Sequence, residues 1–251
     1  MKKTSLEALD RAHQPEAIRQ RLDASDRPQH VSDAVLGAID GCITTFAVVC
    51  GTVGAGLSPS VALILGFANL LADGFSMAIS NYEASKAQLE FRDGIRRMEE
   101  EHIDRVPAGE LEEIRQIFCR KGFTGEMLEA IVATISRDRQ LWVETMLTEE
   151  HKLQTVTIEP LRSATVTFAT FLLAGAIPLL PFFITDAQPH WRFIASAGLA
   201  GTVFFTIGML KSLVFAKPIL RSGLSTLLTG GTAAALAYLT GALLRQAFGI
   251  G

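Results

Sequence analysis

The chain has 251 residues, of which 49 are charged, and a formal net charge of −3. Residues 1–33 and 81–162 carry 41 of those 49 charges, so the remaining long, nearly uncharged blocks require lipid rather than water around them. This pattern argues against a purely soluble enzyme, the lack of a strongly basic region argues against a nucleic-acid partner, and three cysteines without a Cys-x-x-Cys pair argue against a thiol-rich metal site.

Residues 1–33 are polar and are predicted to form a cytosolic N-terminal segment. Residues 34–82 predict transmembrane helices 1 and 2, because two apolar stretches, at 34–57 and 61–79, are each close to the length of about 20 residues that crosses a bilayer and meet at a Gly/Ser/Pro turn at residues 56–60. No helix-stopping residue follows the second stretch, so its helix is expected to continue into water.

Residues 83–160 predict a polar insert of three helices. The first continues from transmembrane helix 2 to about residue 104, the second covers residues 110–121, and the third runs from residue 124 towards residue 158. Proline and glycine residues separate the first two helices, and Gly122 closes the second.

Residues 161–251 contain three more apolar stretches, at 163–184, 193–213 and 224–248, which predict transmembrane helices 3–5. Pro178 and Pro181 are expected to kink or end helix 3. The predicted fold is an all-α polytopic membrane protein with five transmembrane helices and a cytosolic three-helix insert between helices 2 and 3. Lysine and arginine are concentrated within the N-terminal segment and the insert, so both are expected to lie in the cytosol.

Several polar residues interrupt the first two apolar stretches. A carboxylate at membrane depth costs roughly 2.5–3.5 kcal/mol on insertion scales, and such residues usually mark ion pathways. Seven-residue and four-residue spacings place them on shared helix faces. The candidate transport-path residues are Asp33, Asp40, Asn69, Asp73 and Met77.

Helix packing is the alternative interpretation of these residues. Asn69 can simply form a hydrogen bond across a helix interface, and Gly37-x-x-x-Gly41 can simply allow close helix contact. Two intramembrane aspartates are harder to explain in this way.

The insert contains carboxylates at helical spacing, with one imidazole and one thioether among them. Oxygen donors with such partners suit divalent Fe, Mn, Co or Zn better than Mg or Ca. The alternative is that the acidic runs are solvated helix faces; His151 is interpreted as structural. The candidate metal ligands are Glu99, His102, Glu110, Glu113, Met146, Glu149 and Glu150.

Two segments, residues 33–41 and residues 76–82 with Lys86 and Gln88, resemble the first- and second-helix signatures of the vacuolar iron transporter (VIT) family. The order of two spans, a helical insert and three spans is also similar to that of the family. The resemblance implies a homodimeric exporter of Fe²⁺ or Mn²⁺ from the cytosol, with protons as the exchanged ion.

The resemblance also implies roles for particular positions. Asp40 and Met77 fall on the family's intramembrane path, and the insert's glutamates and Met146 fall on its metal ligands. Asn69 and His102 stand where the family usually has glutamate, and Asp73 is the candidate replacement for the carboxylate missing at Asn69.

The leading hypothesis is therefore a divalent-metal/proton antiporter with no prosthetic group. Its expected partners are the lipid bilayer, metal ions, protons and a second copy of the chain. Its expected location is a bacterial plasma membrane, because no transit or secretory segment is recognised.

Three alternatives remain open. One is a membrane-anchored ferritin-like enzyme that oxidises iron, although only one Glu-x-x-His motif is found where such a site needs two. The second is a metal-binding or metal-sensing protein without flux, and the third is a transporter of another cation.

Overall fold

The structure is a computed structural model that describes residues 6–23, 29–153, 159–184, 188–215 and 218–249. These residues are almost entirely helical. The α-helices are α1 (Leu6–Ala12), α2 (Pro15–Asp23), α3 (Gln29–Gly54), α4 (Pro59–Arg105), α5 (Pro107–Arg120), α6 (Gly125–Arg137), α7 (Arg139–Thr145), α8 (Pro160–Ala176), α9 (Pro189–Phe215) and α10 (Ile219–Phe248). A π-helical turn, Met146–Glu150, follows α7, and a 3₁₀ segment, Ile177–Phe183, follows α8.

Tertiary contacts divide the chain into two compact units. The membrane unit comprises residues 1–82 and 159–251, and the insert unit comprises residues 83–158. Within the described residues, five helices are long and apolar enough to cross a membrane, and no strand is present. These helices confirm the predicted all-α fold with five candidate spans: His30–Gly54, Pro59–Arg105, Pro160–Phe183, Pro189–Ser212 and Ile219–Phe248.

In the membrane unit, α3 packs most extensively on α8, and also on α9 and α10. Two glycines permit the contact with α8. A Cβ atom on Gly37 would lie 2.3 Å from the Thr167 carbonyl oxygen, and one on Gly41 would lie 2.3 Å from that of Phe171. The small residues let the two backbones approach closely, as the packing interpretation of this motif requires. The close contact fixes which face of α3 turns towards other helices.

The 3₁₀ segment Ile177–Phe183 confirms the predicted interruption of transmembrane helix 3. Pro178 and Pro181 provide no backbone N–H group, so regular α-helical hydrogen bonding stops after Ala176. The buried Ser196 hydroxyl donates a hydrogen bond of 2.7 Å to the Pro178 carbonyl oxygen. This bond satisfies one of the carbonyl groups that the interruption releases.

The insert unit has its own apolar core. Ile103 of α4, Ile114 of α5, Val132 of α6 and Trp142 of α7 all contribute to it. Gly122 ends α5 with a φ of +96°, a left-handed conformation that glycine adopts without a steric penalty. The core holds the acidic residues of these helices in fixed positions.

The prediction of a single third insert helix is wrong. The chain breaks at Asp138, whose carboxylate accepts hydrogen bonds from the backbone N–H groups of Gln140 (2.9 Å) and Leu141 (3.2 Å). It thereby caps a new helix, α7, because aspartate satisfies the unpaired N–H groups of a helix start. The second insert helix also begins three residues earlier than expected, at Pro107, since proline is favoured in the first turn. The expected extension to Ile158 lies outside the described residues.

Candidate functional site

The insert unit concentrates acidic and imidazole groups at one place. Glu99 and His102 lie one turn apart on α4, Glu110 lies in the first turn of α5, and Glu150 with His151 ends the π-helical turn. Glu99 is only 1% exposed and Glu110 only 2%. Carboxylates are rarely buried to this degree without a partner.

Two groups of potential ligand atoms share Glu99. In one, His151 Nε2 lies 2.9 Å from Glu99 Oε1 and 3.6 Å from Glu150 Oε2. In the other, His102 Nδ1 lies 3.4 Å from Glu110 Oε1. Within each group, the ligand atoms all lie within 4.8 Å of one another. A carboxylate that belongs to both groups has two oxygens and can therefore bridge two ions.

The second oxygens of Glu99 and Glu110 have no hydrogen-bond partner among the described residues, although both atoms are buried. An unpaired buried carboxylate oxygen is costly, and a cation can compensate it. Together with the neighbouring imidazole nitrogens, these oxygens form a donor set suited to a divalent transition metal.

The local electrostatics agree with this interpretation. Burial, followed by the negative charges of Glu113 and Glu99, raises the pKa of Glu110 to about 7. The pKa of Glu150 is also raised, first by burial and then by the charges of Glu113 and Glu99. The cluster thus repels further negative charge and favours the arrival of a proton or a metal ion.

The other predicted insert ligands occupy different environments. Met146 is fully buried in the apolar core of the insert. Glu149 forms ion pairs with Lys121 and Lys152. Glu113 is exposed, but it interacts with both Glu110 and Glu150 through its charge. The structure therefore groups Glu99, His102, Glu110, Glu113 and Glu150, and places Met146 and Glu149 in other contacts.

His151 is the residue that sequence reasoning missed. Its neighbour Glu150 was a candidate, but a regular helix would point consecutive residues about 100° apart. The π-helical turn changes this geometry: the His151 N–H donates to the Met146 carbonyl oxygen, 3.2 Å away and five residues back. No signal in the sequence marks that turn.

In the membrane unit, Asp40 and Met77 line one cavity of about 350 Å³. The α3 residues that line it lie on one helix face, since each of them is three or four residues from another in the set. Lys211 of α9 also lines it. The complete lining is Ser32, Val35, Leu36, Ile39, Asp40, Met77 and Lys211.

Asp73 and Asn69 lie on α4, one and two turns before Met77. Asp73 is close enough to Asp40 for the two carboxylates to repel each other. Both Asn69 and Asp73 are partly buried. The amide nitrogen of Asn69 is buried and has no hydrogen-bond partner among the described residues. The Asn69 amide can therefore donate a hydrogen bond to a group that the described residues do not supply.

Asp33 occupies a separate polar group. Its Oδ1 accepts a hydrogen bond of 3.1 Å from the Asn81 side-chain amide, which also donates 2.7 Å to the Thr167 hydroxyl. Its Oδ2 lies 3.9 Å from His30 Nδ1, and both atoms are buried without a hydrogen-bond partner in the part of the chain that the structure describes. Asn81 thus connects α3, α4 and α8 around a buried carboxylate.

The fold and these sites define a class: a polytopic helical membrane protein with acidic residues between its spans and a carboxylate–imidazole cluster in a polar insert. A model of the VIT family matches residues 31–242. The chain belongs to the VIT family, because this match covers most of its length.

Relatives agree with this assignment. The chain is 30% identical over 225 residues to the vacuolar iron transporter of Plasmodium berghei (strain Anka), covering 86% of this chain and 82% of that protein. It is 31% identical over 224 residues to the vacuolar iron transporter of Plasmodium falciparum (isolate 3D7), covering 84% and 81%.

A plant relative, vacuolar iron transporter 1 of Arabidopsis thaliana, is 29% identical over 211 residues, covering 83% of both chains. All three relatives are named as transporters, in agreement with the expectation that the chain is not an enzyme.

Proposed function

We propose that the protein is a membrane transporter that exports a divalent transition metal, Fe²⁺ or Mn²⁺, from the cytosol. The observation that carries this proposal is the cavity shared by Asp40 and Met77 in the membrane unit. A carboxylate and a thioether in one cavity provide one hard and one soft donor, a combination suited to a transition-metal ion. The iron named for the relatives supports the choice of cargo.

In the proposed mechanism, the insert cluster binds metal ions on the cytosolic side and raises their concentration for the membrane unit. Asp40 and Met77 then hold a partly dehydrated ion, with Asn69 and Asp73 as neighbouring donors. Asp33, in its own buried group, is a further carboxylate along α3.

Proton antiport is the proposed source of energy. Metal ligands must be deprotonated to bind, so protons arriving from an acidic compartment would weaken metal binding and favour release there. The intramembrane carboxylates are the groups that would carry this exchange.

The proposed assembly and location follow the sequence. Positive charges near the span ends support a cytosolic location for the N-terminal segment and the insert. A homodimer is proposed, and the apolar side chains exposed on α4, such as Phe67, Leu71 and Phe75, offer a surface for a second copy or for lipid. The sequence predicts a bacterial plasma membrane as the location, whereas the relatives are named vacuolar iron transporters. Cell fractionation distinguishes the two locations.

The test is uptake of Fe²⁺ or Mn²⁺ by proteoliposomes under an imposed pH gradient. We expect the parent to transport, Asp40→Asn to lose most of the flux, and Met77→Leu to lose part of it. Met209→Leu is the matched control, because Met209 is a partly buried thioether of α9 that does not line this cavity.

Two results would contradict the proposal. Flux by Asp40→Asn equal to that of the parent would remove Asp40 from the path. Metal binding by the parent without any flux would favour the metal-sensing alternative.

A further inference from the structure

Lys211 is a cationic residue in the cavity that the proposed function assigns to a cation. Five residues of α3 form the cavity wall on one helix face, from Ser32 at one end to Asp40 at the other. Eight residues of α-helix span about 12 Å, so the cavity wall extends over roughly two helical turns. Lys211 contributes from α9.

The register of α9 on α3 places Lys211 at the Ser32 end. A neighbouring cavity of about 490 Å³ is lined by Leu210 together with His30 and Val31 at the start of α3. A third cavity, of about 340 Å³, pairs the earlier α9 residue Thr202 with Ala38. The two helices therefore run antiparallel, and Lys211, next to Leu210, lies about two turns away from Asp40 along the cavity.

Lys211 is partly buried, and no ion pair joins it to an acidic residue among the described residues. A charged lysine within a membrane-spanning helix is costly unless a counter-charge or water is near. Asp40 is the acidic residue that lines the same cavity, and Asp73 is its electrostatic neighbour. The flexible four-carbon chain of lysine can carry its ammonium group several ångströms towards them.

We propose that Lys211 is a tethered competitor of the transported ion. Its ammonium group balances the Asp40 side of the cavity when no metal ion is present, and a divalent ion displaces it whereas a monovalent ion does not. The inference rests on the proposed function, because it assumes that the cavity receives a divalent cation.

Charge explains the expected selectivity. Coulomb attraction to the carboxylates scales with the charge of the ion, so a divalent ion attracts them twice as strongly as the single charge of lysine. K⁺ or Na⁺ carries the same charge as the ammonium group, but a free ion must also be brought from solution, whereas the ammonium group is already attached to the chain. Displacing the ammonium group would cost every cation the same free energy, so Lys211 lowers the affinity for all of them and leaves the more weakly attracted monovalent ions unable to compete.

The experiment measures Mn²⁺ in two ways on the full chain carrying Glu99→Gln, which weakens the insert cluster. Equilibrium binding in detergent is followed by the electron paramagnetic resonance signal of free Mn²⁺. Uptake by phosphatidylcholine vesicles is measured with and without added KCl. The variants are Lys211→Gln and Lys211→Arg. Arg221→Gln is the matched control, because Arg221 is an exposed cation in the first turn of α10 that does not line this cavity.

We expect Lys211→Gln to lower the Kd and KM for Mn²⁺ by about fivefold, the effect of removing one charge across a partly solvated distance. Uptake by this variant should also become sensitive to KCl. Lys211→Arg and Arg221→Gln should keep the parental Kd, KM and insensitivity to KCl. A purely structural role would change the maximal rate or the amount of folded protein instead.

Several outcomes would overturn the inference. They are an unchanged or weaker Mn²⁺ affinity in Lys211→Gln, no Mn²⁺ binding by the Glu99→Gln parent, or an effect that requires anionic phosphatidylglycerol in the vesicles. The last result would assign Lys211 to lipid headgroups, as lysines near helix ends commonly are. Absence of parental flux would defeat the proposed function separately, since the Kd comparison still decides the role of Lys211.

Discussion

The two oxygens of Glu99 have different surroundings: Oε1 lies 2.9 Å from His151 Nε2, whereas Oε2 is buried without a hydrogen-bond partner among the described residues. We expect Glu99→Gln to weaken metal binding by the insert at least about tenfold, because it removes the charge common to both ligand groups. Isothermal titration of Mn²⁺ or Co²⁺ into the full chain in detergent measures the change.

The control for this substitution is Glu101→Gln. Glu101 lies two residues further along α4, is exposed, and pairs with Arg105 at 2.6 Å. Glu101→Gln removes the same negative charge as Glu99→Gln, but it does so at the surface, where screening by solvent makes an ion pair contribute little to stability. Equal weakening by the two variants would mean that the cluster acts only through its overall charge.

The raised pKa of Glu110 leads us to expect two opposite effects of pH, one on metal affinity and one on the stability of the insert. Because burial and neighbouring carboxylates raise its pKa to about 7, metal affinity should rise from pH 6 to pH 8 as the carboxyl group loses its proton. Without metal, the folded insert binds more protons than the unfolded chain between about pH 4.5 and 7. Its free energy of unfolding should therefore fall as pH rises through that window.

Fluorescence can follow this stability. The two tryptophans are Trp142, buried in the insert core, and Trp191 in the membrane unit. A Trp191→Phe variant leaves Trp142 as the single reporter, and Glu110→Gln should flatten the dependence of its melting temperature on pH. A melting temperature that rises from pH 5.5 to 7.5 would contradict the assigned pKa.

At the scale of the helices, the contact between α3 and α8 should tolerate no added methyl group. A Cβ atom on Gly41 meets the Phe171 backbone, which cannot move aside as a flexible side chain would. We expect Gly41→Ala to cost about 2 kcal/mol, as overpacking of a close interface does. Thermal denaturation in detergent measures the loss.

Gly198→Ala is the corresponding control within α9, because a Cβ atom there meets nothing within 4 Å. Alanine is favoured over glycine inside a helix, so this variant should be neutral or slightly more stable. A matching loss of stability in both variants would show that glycine matters for a reason other than close contact.

The spans were predictable because each needs only a local property, an apolar run of membrane-spanning length. The ends of the spans were harder to predict. For example, α9 begins at Pro189 rather than at residue 193, since polar residues such as His190 and Arg192 can occupy a helix end. The break at Asp138 was missed because helical spacing of apolar residues continues on both sides of it. The hydrogen bonds that the Asp138 carboxylate accepts from the backbone decide where the helix breaks. Whether they outweigh continuation of the helix cannot be seen in the spacing of apolar residues.

At the scale of the whole molecule, the two candidate metal-binding regions belong to different compact units. If the insert supplies ions and the Asp40 cavity passes them, Glu99→Gln should raise the KM for metal uptake while the maximal rate stays close to that of the parent. Asp40→Asn should lower the maximal rate. Proteoliposome uptake over a range of metal concentrations separates the two parameters.

The double variant adds a control. If the two sites act independently, the fold-reduction in uptake by the double variant at low metal concentration should equal the product of the two single fold-reductions. Loss of all flux in Glu99→Gln at saturating metal would contradict a supplying role for the insert.

The cavity in the membrane unit could not be derived from spacing alone, because residues of α3, α4 and α9 meet there after long separations in the chain. Met77 and Asp40 were singled out by their chemistry. The place of Lys211 in this cavity could not be derived from the sequence, since its rotation about α9 depends on packing. Local patterns thus indicate which residues are unusual, whereas long-range contacts decide which of them are neighbours.

The turn at Met146–Glu150 contains one residue more than an α-helical path between the same two ends would need. A chain shortened by one residue here can close the gap with a regular turn and keep its flanking segments in their present orientation. The same deletion within α5 would twist all later side chains of that helix by about 100°. Deletion of one residue from this turn should therefore preserve the flanking segments, but it would remove the hydrogen bond from the His151 N–H to the Met146 carbonyl oxygen and so move His151 away from Glu99.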